Sequence, residues 1–278
     1  MTDVLLTAPY MIPFVDRFKP VFDQYQINLI VPEVNERLEE TDLLSWAGKF
    51  DGTICGDDRY TRKVIERCIP RLKVISKWGT GIDSIDQQAC IDLGVRLKNT
   101  PNAFTLPVAD SVLAYILTFA RQQPWMDRAM KNGIWKKIPG RSLSEMTLGV
   151  IGVGNVGKAV LRRARAFGMN LLGNDIQPIA RDFLLENQVQ SVSLVDLLKN
   201  SDVVSVNCDL NPTSFHLINE NTLANIKAGS VLINTARGPI VDEKALIQAL
   251  VSGGLAGAAL DVFEQEPLPL DSPLMKME

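Results

Sequence analysis

The sequence predicts an α/β protein made of two doubly wound parallel-sheet domains. Three observations carry this: short β-branched runs alternate with helical patterns from the N-terminus, the alternation breaks at Asn99-Thr100-Pro101-Asn102, and it restarts more regularly at Thr147. The chain has 278 residues, 46% of them hydrophobic, enough for two cores at about 150 residues per domain.

In the first alternation, strands are expected at Val4 to Ala8, Ile27 to Val31, Gly52 to Cys55, Lys73 to Ser76 and Val95 to Lys98. Helices are expected at Val15 to Tyr25, Thr41 to Phe50, Thr61 to Ile69 and Ser84 to Leu93, each ending near Gly, Pro or a short polar turn. Such an alternation buries a parallel sheet under helices on both faces, in the flavodoxin-like manner. Pro101 disfavours helix at Thr100, so the domain boundary is placed there, giving domains 1–99 and 100–278. Thr105 to Arg121 reads as a long apolar helix with Pro107 in its first turn, where a missing N–H matters least. The second alternation predicts strands at Thr147 to Gly152, Asn170 to Asn174, Asp202 to Asn207, Ser230 to Asn234 and Ala256 to Val262. Its helices are expected at Val156 to Phe167, Ile179 to Asn187, Leu194 to Lys199 and Glu243 to Ser252.

Composition narrows the function classes. With 29 Lys and Arg against 32 Asp and Glu, the net charge of -3 offers no basic field for nucleic acid or an anionic membrane. The longest apolar run, Val112 to Leu117, is bounded by Asp110 and Arg121 and falls well short of the roughly 20 residues that span a bilayer. Met1 to Tyr10 has no basic region and soon meets Pro9 and Pro13, so it reads as a first strand and not a secretory signal; a cytoplasmic protein acting on a small molecule is expected. Cys55, Cys68, Cys90 and Cys208 form no C-x-x-C pair and sit in apolar segments, which predicts core thiols and no metal site.

Within LGVIGVGNVGKAV, Gly152, Gly154 and Gly157 have the G-x-G-x-x-G spacing between an apolar strand and a helix. Gly152 permits the tight turn, Gly154 lets a pyrophosphate approach the backbone, and Gly157 allows close helix-to-strand packing, with the helix N-terminus facing the anion. Asn155 and Val156 lie inside this turn. Asp175 follows at the end of the next strand, where its carboxylate can accept from a ribose 2′-hydroxyl. A carboxylate there opposes a 2′-phosphate, so the expected cofactor is NAD and the domain is of the Rossmann type.

Three further segments are KWGTGIDSID (Lys77 to Asp86), INTARGPIVDEKAL (Ile233 to Leu246) and AALDVFEQEPL (Ala258 to Leu268). Together with the glycine motif and Asn99-Thr100-Pro101, they make the chain resemble the D-isomer-specific 2-hydroxyacid dehydrogenases, the group containing phosphoglycerate and glycerate dehydrogenases. The resemblance implies a substrate domain followed by an NAD domain, with a small 2-oxo or 2-hydroxy acid held between them. Gly79, Thr80, Gly81 and Ile82 would then supply an amide nest for the substrate carboxylate. Arg237 would clamp that carboxylate and polarise the keto oxygen. The resemblance also implies that Thr235 and Ala236 contact the cofactor, that Asp261 lies near the nicotinamide carboxamide, and that Glu266 supports the catalytic histidine. Relatives are commonly homodimers, and the Thr105 to Arg121 helix with Trp125 and Trp135 beyond it suits either such a contact or packing within one chain.

Two departures stand out. The family's acid/base histidine lies on a strand after the Glu266 loop, and the segment Ser272 to Glu278 reads as the lead into that strand, so the expectation is a truncated product lacking the histidine and the returning C-terminal helix. His216, in NPTSFHLIN, is the chain's one histidine and reads as a structural imidazole. Asn207 and Asp209 stand where many relatives have His and Pro. Two functions follow: a D-2-hydroxyacid dehydrogenase, or an NAD(H)-binding sensor or corepressor-like protein with little chemistry. Arg59, Arg62 and Lys63 could meet the phosphate of a 3-phosphoglycerate-like substrate, and a solvated charged face explains them equally well.

Overall fold

A computed structural model describes residues 1–277. The chain divides into two compact units, Met1–Phe104 and Thr105 onward, a few residues beyond the boundary expected at Asn99/Thr100. Asn99 and Thr100 stay with the first unit because they bond to its Gly79-Thr80 turn. Glu278, the final residue of the expected second domain, lies outside the described residues.

In the first unit, β1 (Thr2–Leu6), β2 (Ile27–Ile30), β3 (Gly52–Cys55), β4 (Val74–Lys77) and β5 (Arg96–Lys98) form one parallel sheet in the order β2-β1-β3-β4-β5. This is the flavodoxin-like order. Successive strand residues point to opposite faces, so Leu5 joins a core with Leu43, Phe50, Tyr60, Ile65 and Ile75, while Leu6 joins Ala8, Met11 and Phe22 on the other side. Asp86 caps the helix Gln87–Asp92 by accepting from Ala89 N at 2.7 Å.

The helix expected at Val15 to Tyr25 is divided into a 3-10 turn, Ile12–Arg17, and an α-helix, Lys19–Gln24. Pro20 is the reason: its ring lacks an N–H and clashes with the preceding turn, so it can open a helix but not continue one. The helix expected at Thr41 to Phe50 is shorter, Glu40–Ser45, and gives way to turns around Gly48, whose φ is +75°.

The second unit opens with the helix Thr105–Arg121, which has the expected bounds and buries Ala109, Val112, Leu113, Ile116 and Ala120 along one stripe. Its sheet holds β6 (Thr147–Ile151), β7 (Asn170–Asn174), β8 (Val189–Ser191), β9 (Val203–Val206), β10 (Ser230–Asn234) and β11 (Leu255–Leu260), ordered β11-β10-β9-β6-β7-β8 and parallel throughout. Renumbered from β6, this is the Rossmann order 3-2-1-4-5-6. The central strands carry continuous apolar runs because both faces are covered: β9 and β10 are buried at every position. The glycine motif lies after β6, where the winding direction reverses, the position at which such sheets form their crevice.

Among the described residues, one strand and two α-helices escape the sequence reading. Edge strand β8, Val-Gln-Ser, is too short and polar for a period to show. The helix Gln123–Lys131 starts at Gln122 in the left-handed region with Pro124 in its first turn, directly after the long helix that ends at Arg121. Glu220–Leu223 is a single turn held by a capping box between Asn219 and Thr222. Conversely, β11 ends at Leu260, short of the expected Val262; Asp261 N still donates to Asn234 O at 3.0 Å before the chain turns away.

Asp202 ties the lower edge of this sheet together. Its Oδ2 accepts from Thr147 N at 2.8 Å, and its Oδ1 accepts from Arg141 Nη1 and Lys227 Nζ, both at 2.9 Å. Burial alone would push this carboxyl up, but those donors hold it below the ordinary carboxylate range. A depressed folded-state pKa contributes stability that is present at neutral pH and lost as pH falls through that pKa. Asp202→Asn should therefore lower stability at pH 7 by about 2 kcal/mol. Denaturant titrations over a pH series should show the difference fading below pH ~4, near the unfolded pKa.

Candidate functional site

The glycine turn is built by steric necessity. Gly152 has φ +87° and lies so close to the strand beside it that a Cβ would meet Cys208 N at 2.5 Å. A Cβ on Gly157 would meet Gly152 O at 2.1 Å, so only glycine lets the helix Asn155–Ala166 sit directly on β6. Gly154 differs from both: it is exposed, and a Cβ there would meet nothing within 4 Å. Open space over an N-cap backbone is where a phosphate can approach. The helix begins with Lys158 N donating to Gly154 O at 2.9 Å, so Asn155, Val156 and Gly157 form its first turn, the positive end of its dipole.

Asp175 closes this turn. Its Oδ2 accepts from Val153 N at 2.7 Å and its Oδ1 from Gln177 N at 2.8 Å. An ionised carboxylate has about four acceptor positions, so two bonds to backbone amides leave room for two ribose hydroxyls. Two further acceptors lie at the ends of neighbouring strands. Asn207 Oδ1, after β9, and Thr235 Oγ1, after β10, are buried with no hydrogen-bond partner among the described residues. Buried polar atoms without partners are uncommon and call for a ligand or water. Asn207 donates from Nδ2 to Ser205 O and Oγ, which fixes its amide group. Open backbone at Gly154, a positioned acid and unmet buried acceptors fit a dinucleotide. Cys208 is half-buried, not a core thiol as expected, and burial pushes its pKa up to about 11, so it stays protonated beside the turn.

Arg237 stands on a turn folded by Asn234, which is 1% exposed. Asn234 Oδ1 accepts from Ala236 N at 3.1 Å and its Nδ2 donates to Arg237 O at 2.9 Å, while Arg237 Nη1 reaches Ala236 O at 2.8 Å. The next residue, Gly238, packs against the loop carrying the acids: a Cβ there would fall 1.8 Å from Phe263 O. Glu266 Oε1 accepts from Phe263 N at 2.9 Å, which pins its carboxylate to that same loop. Asp261 Oδ1 accepts from Tyr115 Oη at 3.3 Å; burial first, and then the carboxylate, pushes the Tyr115 phenol up. Asn234 and Tyr115 are absent from the sequence reading. The signal for Asn234 was its place between a buried strand and a short turn; Tyr115 lies distant in sequence and carried none.

His216 is held elsewhere. Its Nε2 bonds Glu264 Oε1 at 2.8 Å, its ring stacks on Phe215, and its backbone N donates to Pro239 O with φ at +47°. It does not pair with Glu266.

In the first unit, the Gly79 to Ile82 segment follows β4. Gly79 N donates to Thr100 Oγ1 at 3.0 Å and Thr100 N returns to Gly79 O at 3.0 Å, so one amide of the expected nest is used within the fold. The amides of Thr80, Gly81 and Ile82 donate to no protein acceptor among the described residues, which leaves them for an anion. No cluster of metal-ligating side chains occurs among the described residues.

The chain belongs to the D-isomer specific 2-hydroxyacid dehydrogenases: residues 113–278 match the NAD binding domain of that family. It is 41% identical to a glyoxylate reductase from Korarchaeum cryptofilum over 75% of its own length and 64% of that protein's. It is 35% identical to the D-3-phosphoglycerate dehydrogenase of Methanocaldococcus jannaschii over 100% of this chain, which covers 52% of that relative. The chain thus spans less than two thirds of these relatives' length. Among solved structures, the TT0316 protein of Thermus thermophilus superposes with a TM-score of 0.85 at 34% identity, covering 99% of this chain and 86% of that one. D-lactate dehydrogenase from Aquifex aeolicus, complexed with NAD and lactic acid, superposes at 0.84 with 30% identity, covering 95% and 78%.

The two inner glycines should respond differently to a methyl group. Gly154→Ala should leave stability within about 0.5 kcal/mol yet weaken NADH at least ~10-fold, because the new carbon occupies the phosphate's space. Gly157→Ala should lose both, with a stability cost of about 1–3 kcal/mol from overpacking against Gly152 O. NADH fluorescence titration beside thermal unfolding separates the cases.

Proposed function

We propose that this chain acts as an NAD-dependent oxidoreductase interconverting a small D-2-hydroxy acid and its 2-oxo acid, as a cytoplasmic homodimer. The observation that carries the reading is a dinucleotide turn closed by Asp175, with an arginine turn at the end of a nearby strand of the same sheet; in the first unit, taken by itself, the amides of Thr80 to Ile82 are unused. NAD would be held by the Gly152 to Gly157 turn, Asp175, Asn207 and Thr235, and when bound it supplies the hydride acceptor or donor. The exposed side chains of Met130, Ile134 and Trp135 support a second copy as partner, and no helix of the described residues is long and apolar enough to cross a membrane.

The protein's own part is binding, orientation and charge. The Thr80, Gly81 and Ile82 amides bind the substrate carboxylate. Arg237 contributes a planar fork suited to a carboxylate and to negative charge developing on a keto oxygen. Its turn is rigid because Asn234 fills its interior, so the guanidinium is placed before substrate arrives. Tyr115 fixes the Asp261 carboxylate that would face the nicotinamide amide. His216, engaged with Glu264, takes no part in proton transfer.

The test is NADH oxidation against a panel of short 2-oxo acids. Arg237→Lys should lower kcat/KM by about 100-fold, since an ammonium lacks the bidentate fork. His216→Gln should stay within about threefold; a loss of ~100-fold would mark it as the general acid. NADH binding with no oxo acid reduced would contradict the enzyme and favour the sensor.

A further inference from the structure

Resting on that reading of the site, we infer that His216 is a positioning residue: its bond to Glu264 holds the acid-bearing loop against the arginine turn and so fixes the placement of Glu266 relative to Arg237.

Backbone strain is the first sign. His216 has φ +47°, in the left-handed region that glycine enters freely and a larger residue enters at a cost. Such a residue persists where its surroundings over-determine it, and the outlier points to a task for the side chain. Here the surroundings are the arginine turn's own continuation. His216 N donates to Pro239 O at 2.9 Å, Ile218 N donates to Ile240 O at 3.1 Å, and Asn219 Nδ2 donates to His216 O at 2.8 Å. The His216 segment therefore runs directly beside the residues that follow Arg237 and Gly238.

The imidazole reaches a different part of the chain. Its Nε2 bonds Glu264 Oε1 at 2.8 Å, and its ring stacks on Phe215 with centroids 4.1 Å apart, which restrains its plane. Glu264 is also bound to the start of the helix Glu243–Val251: its Oε1 accepts from Glu243 N at 3.2 Å, and its own N donates to Glu243 Oε1 at 2.6 Å. Glu264 thus ties together the His216 segment, the helix start and its own loop.

That loop is where the segments of Arg237 and Glu266 meet. Phe263, adjacent to Glu264, has its carbonyl against Gly238 and donates its N to Glu266 Oε1 at 2.9 Å. A displacement of Glu264 passes to Phe263 through one peptide and to Glu266 through that hydrogen bond. Without the imidazole, Glu264 keeps its bonds to the helix but loses its tie to the segment beside the arginine turn. The loop is then held from one side, and small misplacements of this kind are costly in a site that must meet developing charge. The task needs an N–H at the reach of Nε2 and no proton transfer. Glutamine supplies that N–H; glycine removes it and relaxes the backbone, which separates the bond from the strain.

Steady-state reduction of a short 2-oxo acid and amide hydrogen exchange, both on the full chain, read the two halves of the claim. His216→Gly should lower kcat by ~5-fold or more, leave KM and NADH affinity within ~twofold, and speed exchange at Phe263 N and Glu264 N by ~10-fold or more. His216→Gln should bring kcat and exchange back to within ~threefold of the unaltered chain. Adding His216→Gly to Glu264→Ala should cost less than ~twofold further, the non-additivity expected of one pair. Unchanged kcat and exchange in His216→Gly, or full additivity with Glu264→Ala, would overturn the proposal. Equal losses in the glutamine and glycine variants would also overturn it, and would assign the imidazole to proton transfer. If no oxo acid is reduced by the unaltered chain, the oxidoreductase reading fails by itself, and the exchange rates still decide whether His216 holds the loop.

Discussion

One carboxylate organises the cofactor half of this protein. By accepting from Val153 N on one side and Gln177 N on the other, Asp175 ties the glycine turn after β6 to the end of β7. Both donors are backbone amides, so the geometry follows from the main chain and not from flexible side chains. The charge is then in place before any ribose arrives, and the cost of ordering it is met during folding. The same bonds leave lone pairs directed away from the backbone, which is what an acceptor of sugar hydroxyls requires.

Around this point the second unit repeats a single device: small or amide-bearing residues bring loops into direct contact. Gly152 lets the turn touch the peptide at Cys208, Gly157 seats a helix on that turn, and Gly238 presses the arginine turn onto the acid-bearing loop at Phe263. Asn234 fills the interior of the arginine turn with its own amide. Arg237 and Glu266 thus belong to two segments in backbone contact, with Arg237 Nη1 donating to Ala236 O and Glu266 Oε1 accepting from Phe263 N. Rigid placement of this kind suits a site that must stabilise developing charge without reorganising.

Much of this was legible in the sequence. Alternation of apolar runs with helical periods gave both parallel sheets, because strands buried on two faces leave strong signals. The glycine spacing with Asp175 gave the cofactor turn, because Gly152 and Gly157 are required by contacts that no other residue tolerates while Gly154 keeps the space above the helix N-terminus open. What was not legible depended on distance or brevity. The Asp57–Lys77 pair joins two loops of the first sheet, and Tyr115 reaches Asp261 from a helix far away in the chain. The three-residue strand β8 and the single turn Glu220–Leu223 are set by tertiary contacts and caps and show no period of their own. Arg62 and Lys63 fitted a phosphate site and a solvated charged face equally well in the sequence, because their acidic partners lie on separate helices.

Titration of NADH into uniformly 15N-labelled protein, followed amide by amide, bears most directly on the central claim. Saturable shifts should concentrate at Val153 to Gly157 and at Gln177, the amides that surround the proposed diphosphate and the Asp175 carboxylate. Shifts confined to other parts of the second unit, or none at millimolar NADH, would contradict it.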